Sequence, residues 1–292
     1  MKRQHSPQPL SGTWTVLPLI LFSVAFFILP LIALFRYSFY LPVPSGIMEP
    51  GFTLENYQKF FSDSFFYNAV WITIKNGIVT TLVTLLLGYP IAYFFVRYPK
   101  YRGLQLAVLV SPLLVNIVIR AYAWRVLLSD TGLVNTWLLN LGIVGEPISF
   151  INSNIGVIIV LSHILLPFMV LAISSSIEGI DHSLEEAGAT LGANTWVRFR
   201  QILLPLSVPG IVAGSILVFT HAAGSFVVPS LIGGGRVHTI PTLMYMYTTG
   251  LLDWPFGAVL AFVMAVITLV ALMGFTFVTM RKTTQREAAG GT

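Results

Sequence analysis

Residues 155–177 read IGVIIVLSHILLPFMVLAISSSI, and this run decides the class of fold to which the chain belongs. It contains no Asp, Glu, Lys or Arg, and it is as long as the roughly 20 residues that a helix needs to cross the hydrocarbon core of a bilayer. Because lipid offers the backbone no hydrogen-bond partners, such a run is stable in a membrane as a helix. It therefore predicts a transmembrane helix.

Five further apolar runs lie along the chain, three before this run and two after it. The whole chain is 55% hydrophobic and 9% charged, with a mean hydropathy of +0.82, whereas a soluble domain is roughly a quarter charged. We therefore predict an all-α integral membrane protein with about six transmembrane helices. The predicted spans are 14–35, 69–96, 104–128, 155–177, 206–231 and 256–280.

Lys and Arg in the connecting segments predict the orientation. The side that holds both termini carries more of these residues than the opposite side, and cytoplasmic loops are enriched in them. We therefore expect both termini in the cytoplasm, as tails at 1–13 and 281–292 around a transmembrane domain at 14–280. The residues on the predicted cytoplasmic side are Lys2, Arg3, Arg97, Lys100, Arg102, Arg198, Arg200, Arg281, Lys282 and Arg286.

Composition also excludes several classes of function. The chain has no cysteine, so it offers neither a thiolate nucleophile nor a thiolate metal site. Its five histidines are scattered without metal-ligand spacing. The net charge of +5 is explained by the cytoplasmic loops, and no basic stripe with interleaved aromatics predicts nucleic-acid binding.

The segment at 178–205 follows the fourth span and is the long polar loop on the predicted cytoplasmic side. Ser183 is predicted to cap a helix whose first turn holds Glu185 and Glu186, since acids are favourable near the positive end of a helix. Glu186 also stands three residues after Ser183, as in a capping box. Gly192 is predicted to end this helix, because glycine tolerates the left-handed conformation of a helix C-terminus.

The second half of the loop predicts another short helix along the bilayer surface. Residues 195–204 alternate apolar side chains with Arg198, Arg200 and Gln201, and Pro205 is expected to stop the helix. Taken by itself, an acidic helix followed by a glycine is also typical of an ordinary amphipathic surface helix.

The spacing of the loop residues resembles the EAA loop of ABC importer permeases. Glu186, Ala187 and Gly188 are followed after three residues by Gly192, then after nine by Ile202, and then by Leu204 and Pro205. Gly188 stands where that family usually has a second alanine, a change that costs up to ~1 kcal/mol of helix propensity. In that family the loop forms a coupling helix that seats in a groove of a cytoplasmic ATPase. The resemblance implies ATPase-coupling roles for Glu185, Glu186, Ala187, Gly188, Gly192, Ile202, Leu204 and Pro205.

Segments outside the loop resemble the polyamine branch of these permeases. They are SPLLVNIVIRAYAWRVLLSDTGLVN at 111–135, GGG at 233–235 and DWPFGAVLA at 253–261. The resemblance implies a type I importer permease fold in a bacterial inner membrane, with a coupling helix between spans four and five. It also implies a second homologous permease, two copies of an ATPase and a periplasmic solute-binding protein as partners, and a cargo such as putrescine, spermidine or another small organic solute.

The chain is not expected to be an enzyme or to bind a cofactor. It lacks a glycine-rich phosphate loop ending in Lys and Ser or Thr, so ATP and magnesium are expected on the partner ATPase. The alternative is an ion-coupled secondary carrier, which would favour carboxylates at the bilayer midplane and an internal repeat. The acids lie instead in loops or near the predicted helix ends.

Six polar and aromatic residues are candidates for the solute path. A charge inside a membrane is costly unless it is paired or reaches water, so Arg120 lies either beside the solute path or near the outer headgroups. Asp253 is either an amine-binding carboxylate with neighbouring aromatic rings or a helix cap within an interfacial aromatic belt. Lone histidines at 163 and 221 are as consistent with hydrogen bonds between helices as with function. The candidates are Arg120, Tyr122, Trp124, Asp253, Trp254 and Tyr245.

Overall fold

The computed structural model describes the backbone of residues 12–41 and 49–290, and the side chains of 16–41 and 49–275. The predicted tails at 1–13 and 281–292, with Lys2, Arg3, Arg281, Lys282 and Arg286, fall outside the described side chains. The described chain is almost entirely helical. Its α-helices, in order, are α1 (Gly12–Tyr37), α2 (Glu55–Ser62), α3 (Ser64–Arg97), α4 (Arg102–Val110), α5 (Ile117–Leu127), α6 (Leu133–Asn140), α7 (Asn154–Glu178), α8 (His182–Thr190), α9 (Thr195–Arg198), α10 (Leu204–Leu206), α11 (Val208–Ala223), α12 (Val227–Ile232), α13 (Ile240–Tyr245) and α14 (Trp254–Gly290).

Four of these helices, α1, α3, α7 and α14, are long and apolar enough to cross a membrane in the described part of the chain. Two bent pairs of helical segments also have the required length and composition. Residues 99–114 and 117–127 meet at 97°, and residues 195–206 and 208–223 meet at 63°. The helical membrane fold is confirmed, and six spans are reached when each bent pair is counted as one.

The third and fifth spans were wrongly predicted as single helices. Within 104–128 the helix breaks at Val115, which is extended, and Asn116 caps α5 by accepting the amide hydrogen of Val118 at 2.8 Å. The predicted span at 206–231 divides into α11, which ends at Ala223, and the separate short helix α12. Hydropathy reports only how apolar a window is, so it does not detect these breaks.

The core lies where α3, α7 and α11 pack together. Glycines permit the close approach, as is common between membrane helices. A Cβ atom at Gly210 of α11 would lie 2.5 Å from the Cβ of Ser176 on α7, and one at Gly88 of α3 would lie 3.1 Å from the Cγ of Met169. These three helices are therefore held backbone to backbone and form the rigid centre of the bundle.

A second apolar cluster lies at the end of the bundle predicted to face outward. Helix α2 packs with α14, and the buried aromatic residues of the cluster are Phe60, Phe66 and Phe256. The ring centroids of Phe66 and Phe256 are 5.0 Å apart. This cluster anchors the start of α14.

Candidate coupling site

Helix α8 begins two residues earlier than the sequence predicted. Asp181, rather than Ser183, is the cap, and its carboxylate accepts the amide hydrogen of Ser183 at 2.9 Å. The backbone and side-chain hydrogen bonds from Ser183 hold the pKa of Asp181 below its ordinary value. The prediction was wrong because both residues are good caps, and the choice depends on where the chain leaves α7.

The two consecutive acids of α8 have opposite surroundings. The side chain of Glu185 is 9% exposed and forms an ion pair with Arg97, the last residue of α3. The side chain of Glu186 is 72% exposed, and its carboxylate lies 3.2 Å from the Nδ1 atom of His182 one turn earlier. One side of α8 is therefore bound to the bundle and the other side faces outward.

The end of α8 confirms the expected role of Gly192. This residue has a φ of +82°, and its amide donates to the carbonyl of Ala189 at 3.0 Å. The amide of Ala193 donates to the carbonyl of Gly188, also at 3.0 Å. These two bonds form a Schellman motif, in which glycine is favoured because it adopts a positive φ without a steric penalty.

The following helical segment runs past the predicted stop. Asn194 caps α9 by accepting the amide hydrogen of Val197 at 2.8 Å, and a π-helical turn at Phe199–Leu203 leads into α10. Pro205 lies within α10, which ends at Leu206, so the prediction that Pro205 stops the helix was wrong by one residue. Proline is tolerated there because it lies in the first turn of α10, where its missing N–H matters least.

Gly188 lets the two halves of the loop pack closely. A Cβ atom at this position would lie 2.9 Å from the Cδ1 of Ile202 and 3.4 Å from the Cγ of Arg198. Within this loop, glycine in place of the family's usual alanine leaves room for Ile202, a reason that helix propensity alone does not reveal. Gly188 and Ile202, two of the predicted coupling residues, therefore join the two halves.

Aromatic contacts attach the second half of the loop to α3. The Phe199 ring meets the Tyr89 ring edge-on with centroids 5.4 Å apart, and Trp196 stacks on Phe199 at 5.5 Å. The hydroxyls of Tyr89 and Ser207 are hydrogen-bonded at 2.9 Å. The three aromatic residues border an open cavity of about 460 Å³ between α3 and the loop, whose wall also includes Glu185 and Arg198.

The structure separates the predicted coupling residues into an outward group and an inward group. Glu186, Ala187 and Gly192 are exposed, and Leu184 and Leu191, at 46% and 88% exposure, extend the outward surface. Glu185 faces the bundle, whereas Gly188, Ile202, Leu204 and Pro205 are half-buried between the two. The exposed group is the part that a partner chain can reach.

Sequence reasoning missed Arg97, Tyr89 and Phe199 as members of this site. Arg97 was used only to predict orientation, although its place at the inner end of a span indicated that it lies near the loop. Tyr89 carried no signal of its own, because an aromatic residue in an apolar run is typical of any membrane helix, and Phe199 was counted only among the apolar residues of 195–204. Their contact depends on the 63° bend at Ser207, where residues 195–206 meet residues 208–223.

The first group of solute-path candidates lies on α5. The Nε1 of Trp124 donates to the Nδ1 of His163 on α7 at 3.1 Å, so His163 makes the expected bond between helices. Two nitrogens of Arg120, Nε and Nη1, are buried and find no hydrogen-bond partner within the described residues. Tyr122 is 54% exposed, and Arg125 donates to the carbonyl of Leu231 at 2.8 Å.

The second group consists of Asp253 and Trp254 at the start of α14 and Tyr245 at the end of α13. Asp253 caps this helix by accepting the amide hydrogen of Phe256 at 3.1 Å, and it pairs with Lys59 of α2 at 3.4 Å. Trp254 is 48% exposed, and the ring of Tyr245 packs on Phe226 at a centroid distance of 4.4 Å. Between residues 49 and 275, no hydrogen bond, ion pair or ring contact joins this group to the candidates on α5.

Comparisons with known proteins agree with this architecture. Residues 76–282 match the family described as "Binding-protein-dependent transport system inner membrane component". The chain is 36% identical over 271 residues to the spermidine/putrescine transport system permease protein PotB of Haemophilus influenzae, covering 92% of this chain and 94% of the relative. It is 37% identical over 252 residues to the protein of the same name from Escherichia coli K12, covering 86% and 90%.

Solved structures show the same fold at lower identity. A chain of a bacterial ABC transporter involved in the import of the acidic polysaccharide alginate matches with a TM-score of 0.68 and 21% identity, covering 93% of this chain and 97% of that one. A chain of the MetNI methionine ABC transporter in an inward-facing conformation matches with a TM-score of 0.52 and 17% identity, covering 74% and 93%.

Proposed function

The chain belongs to the family of binding-protein-dependent transport system inner membrane components, and from this premise we propose how it works as a permease subunit of an ABC importer. It forms half of the translocation path beside a second homologous permease. Two copies of a cytoplasmic ATPase bind and hydrolyse ATP with magnesium, and a periplasmic binding protein delivers the solute. Both termini lie in the cytoplasm, and residues 14–280 form the permease domain.

The observation that carries this proposal is the arrangement of α8. This helix offers Glu186, Leu184 and Leu191 on its exposed side while Glu185 holds its other side to α3. Such a helix can contact a partner and remain fixed to the bundle. Closure of the ATPase dimer would then push the loop at 183–204 and turn the bundle from an inward-facing to an outward-facing state.

The cargo we propose is a polyamine such as putrescine or spermidine, or a similar small organic solute. The support comes from the relatives named for spermidine and putrescine transport, which match most of the chain. Tyr122 and Trp124 on α5, together with Tyr245 and Trp254, offer aromatic faces that attract ammonium groups. Arg120 and Asp253 complete the proposed path, with Asp253 held at its entrance by Lys59.

The ion-coupled carrier is not favoured by any contact in the described chain, and family membership argues against it. That alternative required a carboxylate near the midplane. Asp253 instead caps the first turn of α14 and is paired with Lys59.

The first experiment is affinity purification of the tagged protein, co-expressed with its neighbouring transport genes, in mild detergent with identification of the bound chains by mass spectrometry. We expect an ATPase and a second six-span permease to remain bound. Leu191→Asp should release the ATPase, because it places a charge on the exposed apolar side of α8. The matched control is Leu141→Asp. It changes an exposed leucine in the segment that precedes α7, whereas α8 follows the opposite end of that helix.

The cargo is tested separately with radiolabelled putrescine. Proteoliposomes that contain the whole assembly and its binding protein should take up putrescine only when ATP is present on the ATPase side. A lone protein that copurifies with no ATPase would contradict the assembly. An intact assembly that hydrolyses ATP but does not take up putrescine or spermidine would contradict only the cargo.

A further inference from the structure

We propose that Glu185 is a positioning residue, whose ion pair with Arg97 carries the movement of the coupling helix α8 directly into α3. This inference rests on the proposed function of the loop. It assigns different tasks to two consecutive acids: Glu186 faces the partner, and Glu185 fastens α8 to the bundle.

The first step of the argument is the burial of the pair. The side chains of Arg97 and Glu185 are 21% and 9% exposed, so water and salt screen their attraction less than at an open surface. The guanidinium of Arg97 also lies 5.4 Å from the centre of the Tyr93 ring, an arrangement that favours a cation. The Arg97 side chain therefore has a favourable contact within α3 that does not depend on α8.

The second step is that α8 has few other attachments to α3. Among the hydrogen bonds, ion pairs and ring contacts of the described residues, the Arg97–Glu185 pair is the one that joins α8 to α3. The remaining attachment of α8 is to the second half of the loop, through Gly188 against Ile202 and Arg198. Without the pair, a push on α8 would reach α3 indirectly, through the Phe199–Tyr89 ring contact and the Tyr89–Ser207 hydrogen bond of the second half of the loop or through α7.

The third step is what α3 does with the movement. Helix α3 packs along both α7 and α11, and the glycine contacts at Gly88 and Gly77 hold it closely to them. A displacement at Arg97 therefore moves the packed centre of the bundle rather than one isolated helix. The ion pair is placed at the point where the short helix α8 meets this packed unit.

A neighbouring ion pair supplies a matched control. Arg102 pairs with Glu178 at 2.8 Å on the same side of the bundle, but these side chains are 53% and 37% exposed. Glu178 ends α7 and Arg102 begins α4, so this pair does not include α8. Replacing Glu178 by glutamine removes the same charge without touching the proposed link.

The experiment compares Glu185→Gln and Glu178→Gln in the whole importer, reconstituted with its ATPase, second permease and binding protein. We expect Glu185→Gln to retain the bound ATPase while the number of putrescine molecules imported per ATP falls about 10-fold. Glu178→Gln should stay within about twofold of the wild type. The charge exchange Arg97→Glu with Glu185→Arg should restore most of the coupling, which a loss of folding would not allow.

A second readout does not depend on the cargo. Because the chain has no cysteine, spin labels can be attached at Phe94→Cys on α3 and Thr190→Cys on α8. The proposal expects one narrow distance distribution with and without ATP when Glu185 is present, and a broad one after Glu185→Gln. Glu178→Gln should leave the distribution narrow.

The outcomes separate this inference from the proposed function. Unchanged coupling and an unchanged distance distribution in Glu185→Gln would overturn the link while leaving the importer intact. Failure of the charge exchange to restore either quantity would also overturn it. Loss of the ATPase from the wild-type assembly would overturn the proposed function and the link together.

Discussion

The two ends of the helical bundle are each held by an ion pair between a helix terminus and a neighbouring helix, but the surroundings of the two pairs differ. At the loop end, Glu185 and Arg97 are largely shielded from water and join a nine-residue helix to the bundle. At the other end, Lys59 is 45% exposed and reaches Asp253 from above an aromatic cluster. The two ion pairs therefore have the same chemistry but differ in how strongly water screens the attraction between their charges.

The difference lies in what else holds the two helices. Helix α2 is fixed by Phe60, which is buried among the rings of the outer cluster, so its ion pair adds to an existing apolar contact. Helix α8 is short, polar and largely exposed, and its attachment depends on Glu185 and on its packing against α9. The outer end should therefore tolerate the loss of its ion pair better than the loop end, because α2 is also held by apolar packing whereas α8 is held mainly by the Arg97–Glu185 ion pair.

The largest effect is expected from Arg97→Ala. This change leaves the Glu185 carboxylate buried without its partner, and such a loss costs about 3 kcal/mol. We expect a lower midpoint of thermal unfolding and faster proteolysis at α8. Arg102→Ala, which breaks the exposed pair with Glu178, is the control and should cost less than about 1 kcal/mol.

The double replacement Arg97→Met with Glu185→Leu makes this comparison sharper. Apolar residues of similar volume often replace a buried ion pair without loss of stability. The double variant should therefore be more stable than Arg97→Ala alone. If it is equally unstable, the stranded carboxylate is not the cause of the instability.

An intermediate effect is expected from Gly188→Leu. The new side chain would push Ile202 and Arg198 away from α8, and overpacking of this kind costs about 1–3 kcal/mol. Gly188→Ala is the control, because a methyl group meets only the flexible end of Ile202 at 2.9 Å while it improves helix propensity. Unfolding in denaturant should show the leucine variant to be the less stable one, and a reversed order would contradict the packing described for the loop.

The smallest effect is expected from Lys59→Ala. This lysine makes an exposed ion pair and lies 4.1 Å from the centre of the Phe256 ring, so its loss should cost about 0.5–1 kcal/mol. Thermal unfolding of the assembly should shift less than in Arg97→Ala. A larger shift would show that the outer end, and not the loop end, depends on its ion pair.

Much of the fold follows from features that act over short distances along the chain. The run at 155–177 and its counterparts predict helices because every backbone group in lipid must be bonded within its own segment. Gly192 predicts the end of α8 for a similarly local reason, since a left-handed residue is needed there. The spacing from Glu186 to Pro205 was sufficient to indicate the coupling loop.

Other features depend on residues that are far apart in sequence. Breaks at Val115 and Ala223 are not detected by hydropathy, because averaging over a whole span hides Asn116, Gly224 and Ser225 among the apolar residues around them. Asp181 and Ser183 are equivalent caps by residue type, and the path of the chain leaving α7 decides between them. The candidate solute path was predicted as one set of six residues, yet the hydrogen bonds, ion pairs and ring contacts of the described chain leave them in two groups.

The sequence by itself determined that this protein is a helical membrane permease with a coupling loop between its fourth and fifth spans. Apolar run length is sufficient for the helices, because each helix forms within its own segment, and the permease with its coupling loop follows from the resemblance of residues 186–205 to the EAA loop. Only the tertiary structure decided which of two adjacent glutamates faces outward and which one holds α8 to α3. The physical reason is that Glu185 and Glu186 are chemically identical, and only the position of Arg97 at the end of a distant helix makes them different.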